Sequence, residues 1–260
     1  MDYIRILYLV AYYLSFTLAF FLYSAGTVSP TSNHKMWNNF KKCLPLVILG
    51  ILKCFTTKMI NYEIEVSEYG VHWNFFITLA IIQLICGSLT CIIGNRRNLL
   101  LLISIFIAVG YELWLKRTGM YQKIFNLQDL QRMQSGLDGF VVANIEGIVS
   151  LFGYSALFLI GTSLKDTIYG LVQKKNWKMA SGCTMVFWTL FVVSVNEGYL
   201  ILPSRRLCNI SYIIWMVAYN LTLILLYAGI EIFTGKYYRT VANIGCWAIG
   251  NKLLGIPFFY

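Results

Sequence analysis

The chain has 260 residues, 58% of them hydrophobic and only 12% charged, with a formal net charge of +10. At a mean hydropathy of +0.65, that much apolar surface cannot be hidden in one soluble core, so lipid must solvate a large part of the chain. The positive balance does not point to nucleic acid. Lys and Arg fall in short clusters between apolar runs, as at Lys41 and Lys42, Arg96 and Arg97, and Lys174 and Lys175, which is how membrane-flanking anchors are distributed.

In chain order, residues 4–22 form a first apolar run, read as an uncleaved span because equally apolar runs follow. A loop over residues 27–39 with Pro, Ser and Asn leads to a second run, 44–60, which carries Lys53. That lysine is expected to snorkel or to pair, since a lone ammonium at mid-depth costs roughly 2.5–3.5 kcal/mol on insertion scales. An acidic stretch with Glu63 and Glu65 precedes a third run, 71–93, whose mouth is Glu68-Tyr69-Gly70-Val71-His72-Trp73-Asn74-Phe75-Phe76. Ionisable groups at the mouth of a span are costly to keep and mark a functional site by default. The fourth run, 99–115, has Tyr111 and Glu112 near its end, and a connection of mixed charge, 116–144, follows it. A loop of that length between spans reads as a site element.

Residues 146–164 are the fifth run, 165–178 a basic loop, 179–202 the sixth run, and Pro203-Ser204-Arg205-Arg206 a break before a seventh run, 208–233. A short basic stretch, 235–239, then leads to a last run, 241–260, containing Asn251 and Lys252. Lipid offers backbone groups no hydrogen-bond partner, so the spans are expected to be helices. The expected fold is therefore all-α: one membrane-embedded domain over residues 1–260, a bundle of about seven or eight transmembrane helices. The seven cysteines are scattered, with Cys86, Cys91 and Cys183 inside apolar runs and no CxxC or Cys/His spacing. No metal site or disulfide framework is expected.

Four basic loops, 27–42, 94–98, 165–178 and 235–239, fall on one side if spans alternate, and the positive-inside rule makes that side cytoplasmic. The cluster at residues 68–76, Asn144 with Glu146, and Ser204 to Arg206 then open together toward the other face. Three polar sets far apart in sequence are expected to line one pocket.

At these residues the chain resembles a known family. Residues 68–76, approached by Tyr62 and Val66, closely resemble the signature of the glycosylphosphatidylinositol (GPI) inositol acyltransferases, the PIG-W family. Ala143-Asn144-Ile145-Glu146-Gly147-Ile148, with Ser150, Gly153 and Tyr154, is similar to a second family block, and Ser204-Arg205-Arg206 with Asn209 and Trp215 to a third. Ile145 stands where the family usually has Arg, and Cys208 where Ala is usual. The chain is also shorter than a typical member, and the family spans expected upstream of Ser24 are largely missing, as in a compact or truncated member.

The resemblance implies a multi-pass endoplasmic reticulum enzyme of GPI-anchor biosynthesis. Such a transferase moves a fatty acyl group, usually palmitoyl, from acyl-CoA to the inositol ring of glucosaminyl-phosphatidylinositol, with acyl-CoA as co-substrate and no tightly bound cofactor. An inositol hydroxyl attacking a thioester needs a base near neutral pH, and an unperturbed imidazole, with a pKa of about 6.5, suits that task. His72 is the histidine at the mouth of an apolar run and the candidate base; Glu68, one turn earlier, or Glu146 across the bundle is the candidate carboxylate that orients it. Trp73, Asn74 and Asn144 are candidate substrate contacts, and Arg205 and Arg206 a candidate clamp for the lipid phosphodiester.

Plainer readings stand beside these. His72 and Trp73 also fit an interfacial aromatic belt, Glu68 a solvated helix N-terminus, Glu146 a helix cap, and Arg205 with Arg206 a headgroup anchor. Glu112 and Glu197 read as solvated or paired groups rather than catalytic ones. Asn209-Ile210-Ser211 fits a glycosylation sequon but lies too close to the bilayer to serve as one. The competing function classes are a non-catalytic membrane scaffold or fragment and a small-molecule transporter. A transporter places its polar groups mid-span, in two related halves, and no such halves are visible here.

Overall fold

The structure is a computed structural model that describes residues 36–59, 73–94, 96–126, 137–173, 176–196 and 200–234. These residues form helices α1 (Met36–Met59), α2 (Phe75–Ile93), α3 (Arg97–Thr118), α4 (Met120–Asn126), α5 (Leu137–Ala143), α6 (Ile145–Gln173), α7 (Trp177–Asn196) and α8 (Ile210–Thr234). No strand occurs among the described residues, and the chain is an all-helical integral membrane protein. Four helical segments are long and apolar enough to cross a bilayer: Phe75–Ile93, Arg97–Thr118, Ile145–Leu164 and Trp177–Asn196. Cys43–Thr56 and Ile210–Leu226 are shorter apolar stretches. The first and last apolar runs lie outside the described residues.

Helix α6 is the axis of the bundle. It packs most extensively on α3 and also touches α2, α7 and α8, while α1 packs on α2 and α7 on α8. Five consecutive α6 residues, Ala156, Leu157, Phe158, Leu159 and Ile160, are buried; consecutive positions point around the full circumference of a helix, so a helix buried at all of them is surrounded. Against them sit Ile82 and Cys86 of α2, Leu100 and Ala108 of α3, and Met216, Val217 and Leu221 of α8. The outer helices carry the opposite pattern. Ile48, Ile51 and Phe55 on α1, Leu102 and Phe106 on α3, and Met185 and Val186 on α7 are exposed large apolar side chains, the surface expected where acyl chains are the solvent. Lys53 is exposed on the outer helix α1.

Two boundaries differ from the sequence reading. Helix α6 continues to Gln173, through much of what reads as a basic loop, because charged residues mark the end of the lipid-embedded part and not of the i to i−4 hydrogen-bond ladder. Helix α7 ends at Asn196, so residues 200–202, apolar enough to extend the sixth run, belong to an irregular loop. The long connection after α3 contains the two short helices α4 and α5.

Candidate functional site

One end of the bundle is built around the loop 200–209, whose own backbone is tied down by side chains from distant parts of the chain. Asn209 accepts from the Ser204 N–H at 2.8 Å and donates to the Ile201 and Leu202 carbonyls at 2.8 and 3.0 Å. Ser211 donates to the same Ile201 carbonyl at 2.9 Å. Helix α3 holds the loop from one side: the Tyr111 hydroxyl donates to the Leu207 carbonyl at 2.6 Å, and the Glu112 carboxylate accepts from the N–H groups of Ile201 at 3.1 Å and Ile210 at 3.2 Å. Ile210 is the first residue of α8, so the carboxylate sits at a helix N-terminus, where the dipole and the unsatisfied N–H groups favour an anion. From the centre of the bundle the Tyr154 hydroxyl donates to the Arg205 carbonyl at 3.4 Å.

Two glycines of α6 permit the close approach. A Cβ at Gly153 would lie 1.9 Å from the Cys208 carbonyl oxygen, and one at Gly147 would lie 2.4 Å from the Trp73 indole. Both gaps are below any real contact distance, so each position accepts only hydrogen as its side chain. Cys208 itself has a φ of 49°, a left-handed conformation unusual for a residue with a Cβ. It is fully buried, and burial pushes its thiol well above its usual pKa.

The three polar sets therefore meet. Trp73 of the first lies on Gly147 of the second, and Glu146 of the second forms a two-pronged ion pair with Arg206 of the third. Arg206 Nε donates to Glu146 Oε2 at 3.2 Å, and Nη2 donates to Oε1. Glu146 is 1% exposed and the Arg206 side chain 30%. A carboxylate so buried requires a fixed cation, and the guanidinium fork supplies two parallel donors.

The individual candidates separate into groups. His72 and Glu68, the proposed base and one of its orienting carboxylates, lie outside the described residues, as does Glu197. Trp73 donates its indole N–H to the Thr78 hydroxyl at 2.8 Å. Asn74 caps α2 by accepting from the Ile77 N–H at 3.1 Å, and its amide donates to the Gly50 carbonyl at 2.9 Å and the Cys54 sulfur at 3.2 Å, which locks α1 to the start of α2. Asn144 is fully buried at the α5–α6 joint, donating to the Phe140 carbonyl at 2.8 Å. Glu146 stands in the first turn of α6, as a cap would, but its partner is Arg206. Asn209 is fully buried with its amide engaged, which rules out a glycan there.

Glu112, which reads from sequence as solvated or paired, is paired, but with backbone and not with a cation. It is 3% exposed and held by backbone N–H groups. The available signal was a carboxylate within an apolar run; its partners, about ninety residues away along the chain, gave none. Also unforeseen is a cleft of about 860 Å³ beside the loop, lined by Lys116, Tyr121 and residues 200–206. Lys116 comes from the last turn of α3.

Residues 15–245 match the GWT1 family. The chain is 31% identical over 223 residues to the GPI-anchored wall transfer protein 1 of Debaryomyces hansenii, covering 76% of this chain and 44% of that protein. It is 31% identical over 245 residues to the glucosaminyl-phosphatidylinositol-acyltransferase PIGW of Bos taurus, with 87% and 47% covered. The phosphatidylinositol-glycan biosynthesis class W protein of Dictyostelium discoideum is 29% identical over 236 residues, with 86% and 45% covered. The chain thus spans about half the length of the curated relatives it matches. With most of its length matching one family, and the three sequence blocks brought together at one end of the bundle, the chain belongs to the GWT1 family.

Proposed function

We propose that this chain carries an acyl-CoA-dependent O-acyltransferase site that places a fatty acyl group on the inositol ring of glucosaminyl-phosphatidylinositol, in the endoplasmic reticulum membrane. The observation that carries this reading is the Glu146–Arg206 ion pair, which joins the second and third blocks at the bundle end where Trp73 brings in the first. The bovine relative's name gives the substrate and the group transferred.

In the reaction an inositol hydroxyl oxygen attacks the thioester carbonyl. Its proton passes to the His72 imidazole, the C–O ester bond forms, the C–S bond breaks, and the imidazolium returns that proton to the departing thiolate, which leaves as free CoA thiol. Glu68 or Glu146, the latter paired with Arg206, orients the His72 imidazole. Trp73 and Asn74 wall the mouth of α2, Asn144 fixes the start of α6, and Arg205 with Arg206 receives the phosphodiester. A scaffold would need none of this; a transporter would need its buried ionisable groups at mid-span, whereas Glu112 and Glu146 lie near helix ends.

The test is expression of the chain in cells lacking the GPI inositol acyltransferase, with inositol acylation of glucosaminyl-phosphatidylinositol measured in membranes supplied with radiolabelled palmitoyl-CoA. Wild type is expected to restore transfer and His72→Ala to remove it. A wild-type chain that is folded and inactive would end the catalytic reading, and full activity in His72→Ala would end the base assignment.

A further inference from the structure

We propose that Glu112 is a positioning residue for acyl transfer: by closing the loop 201–210 it fixes Arg206, and through Arg206 the carboxylate of Glu146. The inference deepens the function proposed above and rests on it for the reaction. Glu112 stands on α3, and its two oxygens divide between the two ends of the loop, Oε1 accepting from the Ile201 N–H at 3.1 Å and Oε2 from the Ile210 N–H at 3.2 Å. It bonds to the loop backbone, so its effect on the ion pair is carried by the loop.

Between those ends the backbone around Arg206 has little freedom. The carbonyl before it, of Arg205, accepts from the Tyr154 hydroxyl at 3.4 Å, and the carbonyl after it, of Leu207, from the Tyr111 hydroxyl at 2.6 Å. Leu207 is fully buried among Tyr111, Leu115, Ile124 and Val149. With its main chain anchored on both sides, Arg206 presents its guanidinium from one place, and its Nε and Nη2 donors fix both oxygens of Glu146. The residue type at 112 is itself informative. An amide there would keep one acceptor and turn a donor toward the second N–H, whereas a buried carboxylate is costly to keep. A loop that only needed covering would not require one; a loop held in one shape from both ends does.

The plainer role for Glu112 is that of an anion at the N-terminus of α8, which stabilises the fold and nothing more. The purified chain in phosphatidylcholine nanodiscs would be assayed with glucosaminyl-phosphatidylinositol and radiolabelled palmitoyl-CoA, with rates expressed per folded molecule. Glu112→Gln is expected to lower kcat about tenfold and Glu112→Ala about a hundredfold, one charge-assisted hydrogen bond at a time. KM for either substrate should stay within about twofold, the pattern of an interaction realised in the transition state. Leu100→Ala, in the core about 18 Å along the same helix, should lower the melting temperature and keep kcat within about twofold. Independently of activity, the melting shifts of Glu112→Gln and Glu146→Gln should sum to more than the shift of the double variant, because a loop already slack at Arg206 loses less when its ends open. Wild-type kcat in folded Glu112→Gln, a change confined to KM, an equal loss of kcat in Leu100→Ala, or additive melting shifts would each overturn the proposal. A folded wild type that transfers nothing ends the function proposed above, while non-additive melting shifts would still uphold the link from Glu112 to Glu146; additive shifts in an active chain end that link alone.

Discussion

The two ends of the bundle are closed in different ways. At one end, α2 stops at Gly94, whose N–H returns to the Thr90 carbonyl at 2.9 Å, and α3 begins at Arg96 with no side-chain cap. There α7 starts from Asn176, which accepts from the Met179 N–H at 3.4 Å. Each of these contacts spans a few residues. At the other end, Glu112 reaches Ile201 and Ile210, Tyr111 reaches Leu207, and Arg206 reaches Glu146. Turns closed by neighbours form wherever the local sequence allows. A loop held by partners sixty to a hundred residues away exists only in the finished fold, and burying two carboxylates there is costly unless their partners are fixed. Such preorganisation is what a site needs and a turn does not.

Substitutions should separate the two ends, beginning with the largest effect. Gly153→Ala would drive a Cβ into the Cys208 carbonyl, a backbone clash that cannot be relieved by a rotamer change. The expected cost exceeds about 4 kcal/mol, seen as loss of folded protein in detergent-solubilised melting, while Gly110→Ala on α3, with nothing within 4 Å of its Cβ, should be neutral or slightly stabilising.

Glu146→Ala comes next. It strands the Arg206 guanidinium beside a buried surface, at about 3–5 kcal/mol, and should abolish acyl transfer even at temperatures where the variant remains folded. Glu112→Ala removes the acceptor of two N–H groups and should cost about 2–3 kcal/mol, with Glu112→Gln intermediate because it keeps one carbonyl oxygen. The same substitution should free the loop, read as faster alkylation of Cys208 by an uncharged maleimide; in wild type that thiol is fully buried and kept protonated and should react slowly.

Smaller effects sharpen the boundary. Asn74→Ala loses a helix cap and two inter-helix bonds, expected at about 1–2 kcal/mol and visible as a lower melting temperature. Arg96→Ala, at the locally closed end, should change stability by less than about 0.5 kcal/mol. A loss there comparable to that of Glu112→Ala would remove the distinction between the ends.

Several particulars show what could be read in advance. The third run, its opening at Trp73 and Asn74, and the blocks around Glu146 and Arg206 were all legible, because an apolar segment of sufficient length and a polar cluster at its mouth are local properties. The glycines at 147 and 153 stood in the second block without a reason; the reason is that Trp73 and Cys208 lie against them. Glu112 reads as solvated or paired and is paired, but its partner stayed hidden because a carboxylate near the end of a span looks the same in sequence whether water, a cation or a helix N-terminus receives it. The cleft was invisible for the same cause, its walls coming from α3 and α4 and from a loop some eighty residues later.

The sequence by itself determined that this chain lives in a membrane, that its backbone is helical there, and which residues carry polar chemistry beside the apolar runs, since hydropathy, length and composition act residue by residue. Only the tertiary structure decided that Glu146 faces Arg206, that Glu112 holds the start of α8, and that Lys116 shares a cleft with Arg205. Those pairings depend on which helices pack beside α6, and packing is settled by contacts between side chains that the linear order keeps far apart.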